Sequence, residues 1–319
     1  METDDRFPTK LPSVLDAPEP FRSALADSIS SQESIRFLIH APAFSTPGER
    51  TSATVLAVTD KGWLIVSETE DGGAHVEKSD FGDTLFLELA SILLWGQFKI
   101  HFAKVGTSYS ATTTFDTVEE RLYREAIDAI LDGTDPNSSQ ITEDNPELDK
   151  LFESWPMKFR AEAQRYRPKG QPLLAAIQWP AIFDGYKREL CPAAALLITG
   201  RELVLISEEK TSPRQHVGDD YTFGAIITYF PVVRLEDFHV GHEERFGVLE
   251  LRVQARHGGE KFEIIFPADR EKAVQRRWNR FLSMRRRRVL VFVLAGRLRE
   301  RGPVGANGSG LSFVWGRGR

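Results

Sequence analysis

Residues 197–208 read LITGRELVLISE, and residues 57–68 read AVTDKGWLIVSE. A shift of 140 residues superimposes the two stretches without a gap, with Thr, Ser and Glu identical and apolar residues matched elsewhere. Each stretch has two apolar runs around a short polar turn, which is typical of a β-hairpin. The recurrence predicts that the chain contains two copies of one β-rich domain.

The similarity between the copies continues beyond this hairpin. A shift of 140 also pairs Phe86-Leu87 with Ile226-Ile227 and Phe98 with Phe238, and after an extra eleven-residue loop in the second copy a shift of 151 pairs Phe115 with Phe266. The last matched positions have the i, i+4, i+7, i+8 spacing of an amphipathic helix. They are Tyr123, Ile127, Ile130 and Leu131, paired with Val274, Trp278, Phe281 and Leu282. Each copy is therefore expected to end in a helix.

The second copy has the clearer strand pattern. Short runs rich in Val, Ile, Leu, Phe and Thr, bounded by Gly, Asp and Pro, predict seven strands before the helix. These runs are 173–178, 193–199, 202–207, 224–229, 232–240, 248–254 and 261–266. Alternating apolar and polar residues in the last two runs predict one face in contact with water.

These patterns resemble the pleckstrin-homology (PH) superfold. The hairpin at 196–206 resembles the second and third strands of bacterial PH and GRAM-like domains, and the later order of apolar strand, proline, apolar strand and hairpin into helix is also similar. The resemblance covers most of 34–131 and 171–282. It implies a mainly β, α+β fold of two PH-like barrels in tandem, each a bent antiparallel seven-stranded sheet capped by a C-terminal helix.

The predicted domain organisation has five parts along the chain. They are an N-terminal tail with a short helix (1–30), a first PH-like domain (31–132), a linker with an amphipathic helix (133–168), a second PH-like domain (169–284) and a basic Gly/Arg-rich tail (285–319).

The net charge of −5 is unevenly distributed. From Met284 onward nine arginines and one acid give +8, so the first 283 residues carry −5 − 8 = −13. An acidic body argues against a broad footprint for nucleic acid or for an anionic membrane, since both need clustered Lys and Arg, and nucleic acid is not expected as a partner. No apolar run reaches the roughly 18 to 20 residues of a membrane span. A single cysteine, Cys191, and the lack of a signal sequence predict a cytoplasmic protein.

No residue pattern indicates a catalytic centre. His239 and His242 lie near two glutamates and would suit a divalent metal, but no third ligand is identifiable. There is no Gly-rich phosphate loop and no spacing that predicts a Ser/His/Asp assembly. We therefore predict no catalytic residues, no metal and no cofactor, with a metal enzyme left as an alternative only through these two histidines.

Two basic regions are candidates for contact with anionic lipid. In PH domains that bind phosphoinositides, the loop between the first two strands presents basic residues, and the second copy has such residues there. The candidates are Phe183, Tyr186, Lys187 and Arg188 in this loop, and Arg285, Arg286, Arg287 and Arg288 before the apolar run 289–294. The alternative interpretation of the loop is an exposed turn without a ligand. The alternatives for the tail are a helix extension followed by disorder, or the out-of-frame end of a reading frame.

The linker contains an amphipathic helix that begins at Asn145-Pro146. Its apolar face, formed by Leu148, Leu151, Phe152 and Trp155, either binds a partner or packs between the copies. With the acidic surface and the two similar modules, this helix suggests a non-enzymatic adaptor that recognises a protein or peptide. Peripheral binding to an anionic membrane is the alternative.

Overall fold

Antiparallel strands are the main secondary structure of this chain. The computed structural model describes residues 7–46, 49–136, 138, 146–168, 170–187, 189–208, 224–242 and 246–279. The mainly β, α+β class expected from the sequence is confirmed. Residues up to Arg277 form one compact unit.

The first half of the chain contains ten strands and two α-helices within the described residues. They are β1 (Thr9–Lys10), α1 (Phe21–Ser28), β2 (Ile35–Ala41), β3 (Ser45–Thr46), β4 (Glu49–Arg50), β5 (Thr54–Thr59), β6 (Gly62–Glu68), β7 (Ala74–Asp80), β8 (Thr84–Ile92), β9 (Trp95–Lys104), β10 (Thr107–Asp116) and α2 (Glu120–Thr134).

The second half repeats this order, and each of its seven predicted runs contains a strand. Its elements are α3 (Pro146–Glu153), α4 (Met157–Tyr166), β11 (Leu173–Trp179), β12 (Ile182–Phe183), β13 (Glu189–Cys191), β14 (Ala194–Thr199), β15 (Glu202–Glu208), β16 (Gly224–Pro231), β17 (Leu235–His242), β18 (Phe246–Ala255), β19 (Gly258–Pro267) and α5 (271–279).

Each half forms a four-stranded group followed by a three-stranded group. The groups are β2-β5-β6-β7 and β8-β9-β10 in the first half, and β11-β14-β15-β16 and β17-β18-β19 in the second. Strand β8 pairs with β16, which merges two of these groups into one seven-stranded sheet that crosses between the halves. We call this β8–β16 contact the joint. Among the described strands no sheet closes into a barrel.

The two halves share the same strand registers. The first strand pair of each half is β2–β5 or β11–β14, and its register shifts at the same place in both halves. The shift lies between Ile35 and Phe37 in the first half and between Leu173 and Ala175 in the second. A second shift also recurs, between Thr84 and Phe86 and between Leu235 and Asp237. The described strands therefore repeat one arrangement in detail, bulges included.

The registers correct the alignment predicted after the first hairpin. The offset is 140 residues from β5 and β6 to β14 and β15, but it is already 151 from β7 to β16 and from every later strand to its counterpart. The extra eleven residues therefore lie before β16, in a connection that includes the undescribed residues 209–223. Phe98 is the counterpart of Leu249 rather than of Phe238.

The identical threonines in the matched hairpins stabilise the same turn. The Thr59 hydroxyl accepts hydrogen bonds from the backbone N–H groups of Lys61 and Gly62, and donates to the Gly62 carbonyl. Thr199 makes the equivalent three bonds with Arg201 and Glu202. A side chain that satisfies the turn's own backbone explains why Thr occupies both positions.

The repeat also includes a helix that precedes the first strand of each half. An offset of 138 residues relates β2 to β11 and also relates α1 to α4, so that Phe21 matches Phe159 and Leu25 matches Ala163. All four side chains are buried, the first pair in a cluster with β5 and β6 and the second in a cluster with β14 and β15. Helix α4, in the segment predicted as a linker, thus has the place that α1 has in the first half.

A buried ion network connects the β14–β15 turn to the first half. The Arg201 guanidinium is buried and donates to Glu202, which is also fully buried, and to Asp128 and Asp132 of α2. Although burial acts to lower the pKa of Arg201, the charge of Glu202 and the other carboxylates raises it above its ordinary value. Every charge in this network has a partner, so the loss of one member would leave a buried charge unpaired.

We expect Arg201→Met to lower the free energy of unfolding by about 3 to 5 kcal/mol, because Glu202 would stay buried without its cation. Lys61→Met is the matched control: Lys61 occupies the same turn position in the first half but is exposed, so its loss should cost no more than about 0.5 kcal/mol. Urea unfolding measures both. Equal effects of the two variants would contradict a role for the network, and Arg201→Met/Glu202→Leu should recover most of the loss.

Candidate functional site

An open groove lies beside the joint and is the principal candidate site. It is bounded by the end of β8 and the following turn, by the start of β16 and by one face of α4, with a volume of about 590 Å³ that includes space open to solvent. Its lining residues are Ser91, Leu93, Lys158, Glu162, Arg165, Tyr166, Gly224 and Ala225. We call this space the joint groove.

The sequence of α4 explains why one of its faces lines the groove. Phe159 and Ala163 point into the core, whereas Lys158, Glu162 and Arg165 occupy the adjacent polar face at spacings of four and three residues. Packing of the apolar stripe therefore fixes the polar stripe over the joint.

The two cations of the groove already have acidic partners. Lys158 Nζ lies 3.1 Å from Glu208 Oε1 and 3.3 Å from the Gly224 carbonyl oxygen. Arg165 donates to the buried carboxylate of Glu120 over 2.8 Å, and the same carboxylate accepts from Ser91 and Tyr166. These contacts hold α4 against both β8 and α2.

Glu162 is the acidic side chain that lines the groove, and it forms no ion pair with a described residue. Its Oε2 atom is buried without a hydrogen-bond partner, and no described cation lies within ion-pair distance of it. Burial raises the pKa of Glu162 to about 7; the charge of Lys158 acts in the opposite direction, that of Glu208 adds to the rise, and that of Arg165 opposes it. A perturbed carboxyl with an unused acceptor in an open groove is a plausible point of contact for a ligand.

At the β8–β9 turn the exposed Leu93 lines the rim of the groove, and the exposed Leu94 follows it. Leu93 is 68% exposed and Leu94 is 66% exposed, and Leu93 has a positive φ of 55° that is uncommon for a residue other than glycine. Thr117 fixes this conformation by hydrogen bonds to the carbonyl oxygens of both leucines. The turn thus presents apolar side chains to solvent next to a charged groove.

A second cavity adjoins the groove at Tyr166, with a volume of about 400 Å³ that includes space open to solvent. It lies between α2, the end of α4 and Tyr229 of β16. Four arginines line it together with Glu125 and Asp128; they are Arg121, Arg124, Arg165 and Arg167. The joint therefore has an acidic acceptor on one side and a concentration of guanidinium groups on the other.

The predicted lipid-binding residues lie in a separate hairpin, β12–β13. Phe183 is 56% exposed and Tyr186 is 84% exposed, and Lys187 has a positive φ of 62° at the turn. Arg188 lies outside the described residues, as do Arg285, Arg286, Arg287 and Arg288 of the tail.

The predicted partner-binding face of α3 is turned towards the chain's own core. Phe152 and Trp155 are buried with their rings 4.8 Å apart, and Leu151 is partly buried against the same cluster. The side chain of Leu148 is outside the described residues. In this arrangement a partner would reach these residues only after α3 had moved away.

Among the described residues, His239 and His242 do not meet a third ligand, and Glu243 and Glu244 lie outside those residues. His242 Nδ1 lies 3.4 Å from Glu271 Oε2, and both side chains are exposed. Within the described ranges, no three His, Cys, Asp or Glu side chains are grouped as a metal site requires. His101, stacked on Phe86, is held largely neutral because burial lowers its pKa to about 4.

The sequence did not identify the groove residues. Two local features of the sequence could have indicated these residues. One is the polar stripe of α4, in a segment interpreted as a linker, and the other is the Leu93-Leu94 pair at a turn. Of the helices in the described part of the chain, none has the length and hydrophobicity to cross a bilayer. No family model matches the chain, and no curated protein matches it significantly.

The raised pKa of Glu162 predicts a pH-dependent stability. The folded chain holds the Glu162 proton more tightly than the unfolded chain, whose carboxyl has an ordinary value of 4.5. The stability of the wild type relative to Glu162→Gln should therefore fall as pH rises from about 4.5 to about 7, by at most about 1.4 kcal/mol per pH unit. Urea unfolding of both proteins across this range measures it, and a constant difference would contradict the raised pKa.

Proposed function

We propose that this protein is a non-enzymatic, cytoplasmic binding module made of two PH-like domains, and that the joint groove binds an extended segment of a protein or peptide partner. The four-plus-three strand order followed by a helix in each half supports the PH-like assignment. The observation that carries the binding proposal is the groove itself, with the unused acceptor of Glu162 inside it and the exposed Leu93 at its rim.

A partner segment would have two complementary features. A donor group, such as an amide or amine, would satisfy Glu162 Oε2, because an unpaired buried acceptor costs free energy that a ligand can recover. An apolar side chain would cover Leu93 and Leu94, since exposed apolar residues with polar surroundings are typical of interaction sites.

Peptide display against the immobilised wild type tests this function. Peptides that are selected should bind Leu93→Asn and Glu162→Gln about tenfold or more weakly by fluorescence anisotropy, a change of about 1.4 kcal/mol or more. Val105→Asn is the matched control, because Val105 is an 88% exposed residue with a φ of 52° at the equivalent position of the next turn. A display that enriches no peptide, or peptides that bind all variants equally, would reject the groove as the site.

The exposed aromatic residues of the β12–β13 hairpin favour a second candidate function, peripheral binding to anionic membrane. Phe183 and Tyr186 would enter the interface while Lys187 and Arg188 contact lipid phosphates, at roughly 1 kcal/mol for each cation. Four arginines of the tail, 285–288, would add to this attraction.

Co-sedimentation with anionic and neutral liposomes separates the membrane function from the peptide function. Binding should require anionic lipid, weaken from low to physiological salt, and fall in Lys187→Ala/Arg188→Ala. Loss only on truncation after Ser283 would assign the interaction to the tail instead. Sedimentation of none of these proteins would exclude the membrane function.

A further inference from the structure

Strand β7 has an edge that no described strand occupies. It pairs with β6 on one side and is the last strand of its sheet. Its side chains are partly or fully exposed along its length, apart from the partial packing of Ala74 and Val76 on the first-half core. An open strand edge presents unpaired backbone donors and acceptors to solvent.

The second half shows what the same edge can bind. Strand β16 is the counterpart of β7, and its equivalent edge is occupied by β8 in an antiparallel ladder. In that ladder Ala225, Ile227 and Tyr229 pair with Ser91, Leu89 and Leu87. Their counterparts in β7, at the offset of 151, are Ala74, Val76 and Lys78. The joint is therefore an internal example of strand addition to this edge.

The alternation of the β6–β7 ladder identifies the unpaired backbone groups. Just beyond the two ends of the ladder, Thr69 N–H donates to the Gly73 carbonyl and Phe81 N–H donates to the Lys61 carbonyl. Because bonded and non-bonded pairs alternate in an antiparallel ladder, His75, Glu77 and Ser79 point their backbone groups to β6. Ala74, Val76 and Lys78 consequently point theirs outward, where no described residue bonds them.

Strand β7 and the turn before it are acidic in sequence, and one of their acids, Asp80, is paired with Arg256 over 3.7 Å. Residues 68–80 contain five acids and one lysine, a net charge of 1 − 5 = −4 with His neutral. The lysine, Lys78, is already engaged by Glu33 at 3.3 Å and by the Ser28 carbonyl. Strand β17 of a second copy, the counterpart of β8, carries two acids after its first residue, Glu236 and Asp237, and so does not complement this edge.

We propose that the open edge of β7 binds an extended, lysine- or arginine-rich segment of a partner protein by strand addition. Outward backbone groups at Ala74, Val76 and Lys78 pair with the segment's main chain, and the acidic flanks select its cations. This surface is distinct from the joint groove, so it goes beyond the function proposed for the groove and does not depend on it.

A short peptide of alternating Lys and Val tests the proposal on the full chain, with an alternating Glu and Val peptide as control. Fluorescence anisotropy should detect binding of the Lys peptide alone. Val76→Pro removes one outward N–H and should weaken binding about tenfold or more, whereas Val76→Thr keeps the backbone and should stay within about threefold. Leu93→Asn should leave this binding unchanged, which separates the edge from the groove.

Amide hydrogen exchange on the wild type provides a second measurement that does not depend on the folding of the proline variant. The Lys peptide should slow exchange at Ala74, Val76 and Lys78 and change little at His75 and Glu77, which are already bonded to β6. Binding without this alternating protection, or equal binding of the Glu peptide, would overturn the proposal. The same protection appearing with protein concentration alone would identify a second copy as the occupant and overturn the proposed one.

Discussion

The antiparallel pairing of β8 with β16 is the contact on which the rest of the structure depends. In each half the four-stranded group and the three-stranded group belong to different sheets. The last strand of the first group (β7 or β16) and the first strand of the second group (β8 or β17) therefore each have an edge that no described strand of the same half occupies. In the joint, β8 of the first half and β16 of the second form hydrogen bonds along one of these edges from each half. The joint also brings α2 of the first half against α4 and the β14–β15 turn of the second, which forms both the second cavity and the Arg201 network.

Charged residues make this joint specific to the two halves of one chain. Arg165 meets the buried Glu120 at the joint, but their counterparts at the outer ends of the chain are Asp27 and Glu271. Addition of a further half in the same way would therefore place acid against acid. Lys61, the counterpart of Arg201, is exposed. The repeated strands would allow a further half to be added in the same way, whereas the charges favour a single joint.

The sequence predicted local elements well because a hairpin's pattern lies within a short stretch of chain. Residues 57–68 and 197–208 were sufficient to identify the repeat, and the apolar runs and helical spacing beyond them predicted the other strands and the final helix. The alignment failed at Phe98 because alternating apolar residues match in more than one register and no apolar landmark marked the inserted loop. The groove was not predictable for another reason. Ser91 and Glu162 are far apart in the sequence and line one groove only because β8 pairs with β16. That pairing is made by backbone groups, so the side chains in the sequence give little indication of it.

The two counterpart edges show how one strand position acquires two roles. At the joint, β16 presents Ile227 and Tyr229, whose burial contributes to the common core. In β7 the same positions are Val76 and Lys78, with Glu77 between them. An apolar strand left open to solvent would add neighbouring chains without discrimination, and charges on such a strand oppose this. Because no described residue bonds the outward backbone groups of Ala74 and Val76, the proposed strand addition is still open to this edge, and its charges would restrict it to a segment of opposite charge. The substitutions that protect the open edge from aggregation are thus the same ones that would give it selectivity.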